Sequence, residues 1–410
     1  MKNSPKLSFK GTEIGLTPED WEVVKLGEVC KITTGKKDVN QGNPNGIYPF
    51  FTCSRKITYS DTYSFDTEAI LIAGNGDVGL TKYYKGKFEV YQRTYVLYDF
   101  RKDVKFIFYF ILSGLKKKLI KDKSGSTMPY VRKGDLSSFQ ISLPPLPEQR
   151  KISRVLSKMQ QAIEQQDKII DATKNLKKSL MQKLFTEGIG HTEFKETEIG
   201  QIPKSWEVVK LGAVAEVKYG YSTRIPKVSE KGGTPIISMA DITPEGKILW
   251  DKIRMLNVND KVITNHKLSS GEVLFNWRNS PKYVGKTAVF DRDNEIPYIC
   301  ASFLLRITTK PSALNNKFLH CQLSFMRMKG YFSQKSRRAV GQTNFNASVL
   351  KNMYIFLPLL PEQQQIAQTL CTVDKKIEIE EKRKNTLKEL FKTLLHKLMT
   401  GEIRLKNIEV

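Results

Sequence analysis

Two stretches of the chain, 148–186 and 362–400, contain neither proline nor glycine, and their apolar residues return every three or four positions. In the first these are Ile152, Leu156, Met159, Ile163 and Ile170, then Leu176, Leu180 and Leu184 after a polar interval. In the second they are Ile366, Leu370, Val373 and Ile377, then Leu387, Leu390, Leu394 and Leu398. Such spacing is the a/d seam of a coiled coil, with a change of phase near the middle. Pro147 and Pro361 suit a first helical turn, where a missing N–H costs nothing. Glu148 and Glu362 place an acid at the positive end of each helix, and Gly188 and Gly401 supply the stops. A helix of about 39 residues is on the order of 58 Å long at ~1.5 Å per residue. A stripe that long is not left in water, so the two helices are expected to pack on each other. They run antiparallel if the second half of the chain repeats the first about a two-fold axis.

The intervening regions, roughly 20–143 and 205–357, are patterned differently. Glu22–Lys25 and Glu207–Lys210, each following a tryptophan, alternate as strands do, and 69–73, 91–98, 272–277 and 298–307 are β-rich runs. Residues 106–121 and 317–329 carry helical spacing. The expected fold class is therefore α/β (α+β): two globular domains separated by two long antiparallel coiled-coil helices.

The two halves are related by sequence. Residues 9–35 and 194–220 share 16 of 27 positions at an offset of 185, including W-E-V-V-K-L-G in both. A second repeated block, LPPLPEQRKI from Leu143 and LPLLPEQQQI from Leu357, lies at an offset of 214, so the second unit carries 29 extra residues between the shared segments. What lies between the blocks shows little identity. The chain is an internal duplication with pseudo-two-fold symmetry, alike in framework and unlike in content.

Charge sharpens the picture. The chain has 67 Lys and Arg against 42 Asp and Glu, a net charge of +25. Residues 20–143 hold a surplus of seven basic side chains and residues 205–356 a surplus of twelve, so most of the excess sits in the globular parts. A surplus of this size points to a polyanionic partner. No apolar run approaches the roughly 20 residues needed to span a bilayer, and the first fifteen residues lack the apolar core of a secretory signal. No membrane partner and a cytoplasmic location are expected. Five scattered cysteines without a CxxC pair, and only four histidines, give no zinc spacing.

Basic, aromatic and amide side chains mix in turn-rich stretches, the combination that grips phosphate and reads base edges. In the first half the candidates are Lys36, Lys37, Arg55, Asn75, Lys82, Tyr91, Arg93, Tyr130, Arg132 and Lys133. In the second they are Tyr219, Tyr221, Arg224, Asn276, Trp277, Arg278, Asn279, Lys282, Lys286, Arg337, Arg338, Gln342, Asn344 and Asn346. Trp21 and Trp206 read as core residues.

Two apparent nucleotide motifs are discounted. Gly74–Gly79 matches GxGxxG, and 280–287 resembles a P-loop, but strand-like sequence follows each where a phosphate-capping helix is required. Both read as tight turns between strands, with Gly79-Leu-Thr and Gly285-Lys-Thr at corresponding places. No tetrapeptide of an amino-methyltransferase, no nuclease pattern, no HExxH and no GxSxG occurs, so no catalytic or metal-binding residue is expected.

The duplicated P-x-x-W-E-V-V-K-L-G and L-P-x-L-P-E-Q blocks, spread from residue 9 to about 403, resemble the specificity subunit of type I restriction–modification enzymes. The resemblance implies a first target-recognition domain over 1–147 and a spacer helix over 148–187. It implies a second domain over 188–361, a second spacer helix over 362–401, and a tail over 402–410. Each domain would read one half of a split double-stranded DNA target, and the helices would set the gap and dock two modification (methyltransferase) subunits. Those would carry S-adenosylmethionine and methylate adenine N6; restriction subunits would use ATP and Mg, and this chain would bind no cofactor. The alternatives are the recognition subunit of a system whose partner fuses nuclease and methyltransferase, or a non-specific nucleic-acid scaffold.

Overall fold

The computed structural model describes residues 8–122, 130–222, 232–293, 296–335, 337–339 and 342–406. The chain divides into two compact units, Met1–Lys168 with Glu381–Val410, and Ile169–Glu380. Each unit therefore contains one half of each long helix.

In chain order the first unit runs β1 (Phe9–Thr12), β2 (Gly15–Pro18), β3 (Glu22–Lys25), α1 (Leu26–Val29), β4 (Lys31–Thr34), β5 (Tyr48–Phe51) and β6 (Thr58–Ser60). It continues through β7 (Phe65–Ala73), β8 (Thr81–Val90), β9 (Thr94–Tyr98), α2 (Val104–Asp122), α3 (Lys133–Ser137) and β10 (Gln140–Leu143) into α4 (Leu146–Thr186). Strands β4-β9-β7-β8-β5-β6 form one sheet, antiparallel except where β5 meets β8. The apolar run Ala69–Ala73 makes the inner part of β7 fully buried, and alternate residues face two sides. Ile70, Ile72 and Leu97 pack with Phe106, Ile107, Ile111 and Leu115 of α2 on one side, and Ala69, Leu71 and Val96 with Phe51 and Phe88 on the other. The repeated segment after Trp21 is β3, which pairs with β10 and so ties the start of the domain to the entry of α4.

The second unit repeats this plan through β11 (Phe194–Thr197), β12 (Gly200–Pro203), β13 (Glu207–Lys210), α5 (Leu211–Val214), β14 (Ala215–Tyr219), β15 (Thr234–Ile237), β16 (Arg254–Leu256) and α6 (Asp260–His266). Then come β17 (Val273–Asn276), β18 (Arg278–Asn279), β19 (Thr287–Val289), β20 (Ile299–Cys300), β21 (Leu304–Thr309), α7 (Asn316–Met328) and α8 (Tyr331–Lys335). The unit closes with β22 (Arg337–Ala339), β23 (Gln342–Asn344), α9 (Ala347–Lys351), β24 (Tyr354–Leu357) and α10 (Leu360–Met399). The order β14-β21-β17-β19 reproduces β4-β9-β7-β8, and β20 pairs parallel with β15 as the end of β8 does with β5. The long strand β8 thus corresponds to two short strands, β19 and β20, interrupted by residues 290–298. A three-stranded addition, β18-β23-β22, has no counterpart in the first unit's described sheets.

Within each unit the two helix halves run antiparallel. Lys384 pairs with Asp167 in the first unit, and Lys177 reaches Asp374 at 2.6 Å in the second. The repeated Pro-Glu-Gln explains their ends. Glu148 is buried and accepts from Nε and Nη2 of Arg404 (2.9 and 2.7 Å) and from the Leu405 amide (2.9 Å). Glu362 accepts from the Ile189 amide (2.9 Å), His191 Nε2 (2.9 Å) and Trp206 Nε1 (3.0 Å). Gln149 and Gln363 bind the chain just before their own helices, donating to Pro144 O (2.7 Å) and Pro358 O (2.8 Å). These carboxylates are thus internal clamps as well as helix-end charges.

The helix faces differ in part from the heptad expectation. Ile152, Leu156, Ile163, Ile170, Leu184, Ile366, Leu370, Ile377 and Leu398 are buried. Met159, Leu180, Val373, Leu387 and Leu394 are only half-buried, while Leu176 and Leu390 are exposed. The neighbours Met181, Phe185, Leu395 and Met399 take the buried places. The reason is the partner surface: the end of α4 packs into the core around Phe318 and Phe325 of α7, and the end of α10 into the core around Phe106 and Tyr109 of α2. A globular core, not a helix seam, sets the face there. Trp21 and Trp206 are both core residues, 1% exposed.

Candidate nucleic-acid interface

The strand registers bring the first-half candidates to one end of the six-stranded sheet. Thr34 of β4 pairs with Tyr95, Ala73 of β7 with Thr94, and Phe51 of β5 with Val90. The chain leaves β4 and β7 where it enters β9, and it leaves β5 beside the end of β8, which only residues 91–93 separate from β9, so the loops 35–37, 52–56, 74–79 and 91–93 meet. Backbone hydrogen bonds lock them together: Gly74 N to Arg93 O (2.9 Å), Gln92 N to Lys37 O (2.9 Å) and Tyr91 N to Phe51 O (3.0 Å). Residues 130–133 join the cluster through Val131 N to Gly74 O (2.8 Å) and Tyr95 Oη to Val131 O (2.9 Å). The 74–79 segment is a tight turn, with Gly76 and Gly79 at φ of 63° and 75°, left-handed backbone that glycine adopts freely.

Not all of these side chains face outward to the same degree. Lys36, Arg55, Arg93, Tyr130, Arg132 and Lys133 are exposed. The Arg132 guanidinium lies 5.2 Å from the Tyr130 ring centroid, and Arg55 pairs with Asp77 at 2.9 Å, which Lys116 also reaches. Asn75, Lys82 and Tyr91 are half-buried. Lys82 donates to Ser54 O (2.7 Å), and burial pushes its ammonium pKa down. Lys37 is an internal support: its ammonium binds Ser60 Oγ (2.9 Å) and lies 3.3 Å from the buried Glu89 carboxylate.

The second unit builds the same frame. Trp277 N meets Phe303 O (3.3 Å) as Gly74 meets Arg93, and Phe345 N meets Trp277 O (2.7 Å) as Val131 meets Gly74. Gly220 N donates to Leu304 O (3.0 Å) as Gly35 N does to Thr94 O (3.4 Å). Tyr219, Tyr221, Trp277, Arg278, Asn279 and Asn346 gather at this end. The Tyr219 hydroxyl accepts from Ala347 N (3.2 Å), the Tyr219 and Trp277 rings stand 5.5 Å apart edge to face, and Arg278 lies 5.7 Å from the Phe303 centroid. Register alone places Arg337, Arg338, Gln342 and Asn344 on the β22–β23 hairpin, with Asn344 opposite Arg278. Arg224 lies outside the described residues.

Two candidates are corrected. Asn276 is buried and donates to Phe303 O (3.3 Å). Lys286 is buried too, its ammonium capping Met239 O (2.7 Å) and Ile242 O (2.5 Å), with its pKa lowered by desolvation. Both hold loops in place. In sequence they belong to polar and basic stretches that also hold the exposed Arg278 and Lys282, but the fold buries Val273–Asn276 of β17 and residues 284–288 together. Lys282 is exposed and its ammonium lies 5.3 Å from the Tyr283 centroid. Gly285, at φ 78°, and Thr287 at the start of β19 repeat the geometry of Gly79 and Thr81, so the P-loop-like segment is a turn. Phe303, which matters through the backbone frame, and Lys116 of α2, which reaches the 74–79 loop through Asp77, stand outside the basic and amide clusters legible in the sequence.

Among the described residues no group of histidine, cysteine, aspartate or glutamate could hold a metal ion, and no helix is long and apolar enough to cross a membrane.

Comparison with known proteins gives one family. The type I restriction modification DNA specificity domain matches residues 18–173 and 203–389. The Type I restriction enzyme MjaVIII specificity subunit of Methanocaldococcus jannaschii is 30% identical over 415 residues, covering 95% of each chain. The EcoDI specificity subunit of Escherichia coli is 33% identical over 226 residues, 50% of each. The type I restriction-modification S subunit from M. genitalium has the same fold, with a TM-score of 0.63 at 16% identity over 97% of this chain and 98% of that one.

Proposed function

Since the chain belongs to the type I restriction modification DNA specificity family, we propose that it recognises a bipartite duplex target, one half-site per unit, and brings catalytic subunits to it. One observation carries this reading: the two sheet ends share a backbone frame yet present unlike side chains. A shared frame with unlike content suits two readers of two unlike half-sites. Exposed Arg and Lys supply phosphate grips, and Arg, Asn and Gln supply the paired hydrogen bonds that distinguish bases. On this reading the chain performs no chemistry. Two modification subunits dock on the long helices and supply S-adenosylmethionine for adenine N6 methylation; restriction subunits supply ATP- and Mg-dependent cleavage.

The helices then set the distance between half-sites. Removing 161–167 together with 384–390 deletes register-matched heptads, including both members of the Lys384–Asp167 pair. Seven residues at ~1.5 Å each remove about 10 Å, or about three base pairs at ~3.4 Å. The methylated motif of this variant is expected to keep both half-sites and lose about three unspecified positions between them. An unchanged gap would show that the helices are not the ruler.

A further inference from the structure

The two sheet ends differ at one position of their common frame, Gly74 in the first unit and Trp277 in the second. In the first unit a pocket of about 190 Å³ opens there, lined by Gly74, Asn75, Gln92, Arg93, Tyr95 and Tyr130 among others. Gly74 is what keeps it open: a Cβ at this position would sit 2.6 Å from Arg93 O and 3.1 Å from the Tyr95 ring. In the second unit the corresponding residue is Trp277. Its indole N–H donates to Ser302 O (2.6 Å) and its ring stands against Tyr219, so a side chain occupies the place that the first unit leaves open. The backbone link is also looser, 3.3 Å from Trp277 N to Phe303 O against 2.9 Å from Gly74 N to Arg93 O. The residues flanking the pocket change accordingly: Asn75 becomes Arg278, and Arg93 becomes Phe303.

The pocket's polar groups fall into two sets. The Tyr95 hydroxyl is taken by Val131 O (2.9 Å), and the Gln92 amide donates to Asp38 (3.3 Å). The side chains of Asn75 and Arg93 make no hydrogen bond or ion pair among the described residues. A guanidinium and a carboxamide left with their full donor and acceptor sets, side by side over an open glycine floor, match the paired edges of purines: Arg to guanine O6 and N7, Asn to adenine N6 and N7.

We propose that Arg93 and Asn75 are the specificity-determining pair of the first unit, reading a guanine and an adenine at neighbouring positions of its half-site. The second unit, whose pocket position is filled by Trp277, reads its half-site by a different set of groups. This assignment rests on the DNA-recognition reading above.

The test uses the chain assembled with its modification subunits and a randomised duplex library, with bound DNA sequenced for the unaltered protein and for R93A, R93K and N75A. For R93A and R93K, preference at one G·C position of one half-site should fall by on the order of 10- to 100-fold, and for N75A at a neighbouring A·T position. The other half-site should stay intact, which also reports that the variants fold. The salt slope should be the same as for the unaltered protein. An unaltered motif together with a slope smaller by about one would make Arg93 a phosphate contact and overturn the assignment. If R93K keeps the preference that R93A loses, charge rather than the bidentate fork is at work, and the guanine assignment falls. Absence of any motif for the unaltered protein would overturn the recognition reading itself.

Discussion

Raising the salt concentration from about 50 to 200 mM is expected to weaken binding of the assembled complex to its duplex by on the order of 10³–10⁵. The source is the +25 charge, most of which lies in the globular parts. Exposed Lys36, Arg132, Lys133, Arg278 and Lys282 project from the two sheet ends. Each phosphate they neutralise releases condensed counterions, and 6–10 such contacts give a slope of about −5 to −9 in log K against log salt. Lys37, Lys82 and Lys286 should add little, because their ammonium groups are bound inside the fold. Alanine at Lys133 should therefore reduce the slope by about one, while alanine at Lys286 should act on stability. A slope of −2 or shallower would mean that the charge is spread over surfaces that never meet DNA.

Glu272→Ala is expected to destabilise the second unit by about 3–5 kcal/mol. Glu272 and Arg306 are 4% and 8% exposed, and they meet through three contacts, Nη2 to Oε1 (2.8 Å), Nη2 to Oε2 (3.0 Å) and Nε to Oε2 (3.2 Å). Thr308 Oγ1 (2.9 Å) and Ser269 N (3.1 Å) fill the remaining acceptor capacity of the carboxylate. Removing the acid leaves the buried guanidinium of Arg306 with only Lys267 O to bind among the described residues, and that uncompensated charge is the main cost. Hydrogen exchange should show protection lost across β14, β17 and β21, with β7 and β9 unaffected. Replacing both members, Glu272→Met with Arg306→Leu, should recover most of the stability, because two matched apolar side chains strand no charge. A double variant as unstable as the single one would place the cost elsewhere, in the lost packing of the long side chains.

Much of this architecture could be read from the chain because repetition separates framework from content. Residues alike in both halves became β3 and β13, the Glu148 and Glu362 clamps, and the entries of α4 and α10. The long helices follow from an uninterrupted three-four spacing, and the turns at Gly74–Gly79 and 280–286 from the strand-like sequence after them. Three things were hidden. The buried faces at the distal ends of α4 and α10 depend on aromatic residues more than a hundred positions away in sequence, such as Phe318 and Tyr109, which no heptad rule contains. The burial of individual polar residues was equally invisible: Asn276 and Lys286 share their stretches with the exposed Arg278 and Lys282, and only the packing of β17 and of residues 284–288 sets them apart. The equivalence of Gly74 with Trp277 is carried by backbone hydrogen bonds alone, between segments with no shared residues.

The claim that two units read two independent half-sites is tested most directly by mapping methyladenine across the genome of a methylation-free host that expresses this chain with its modification partner. A split motif is expected: two fixed half-sites separated by a gap of constant length and no sequence preference. Methylation at a single continuous motif, or at adenines without any motif, would contradict it.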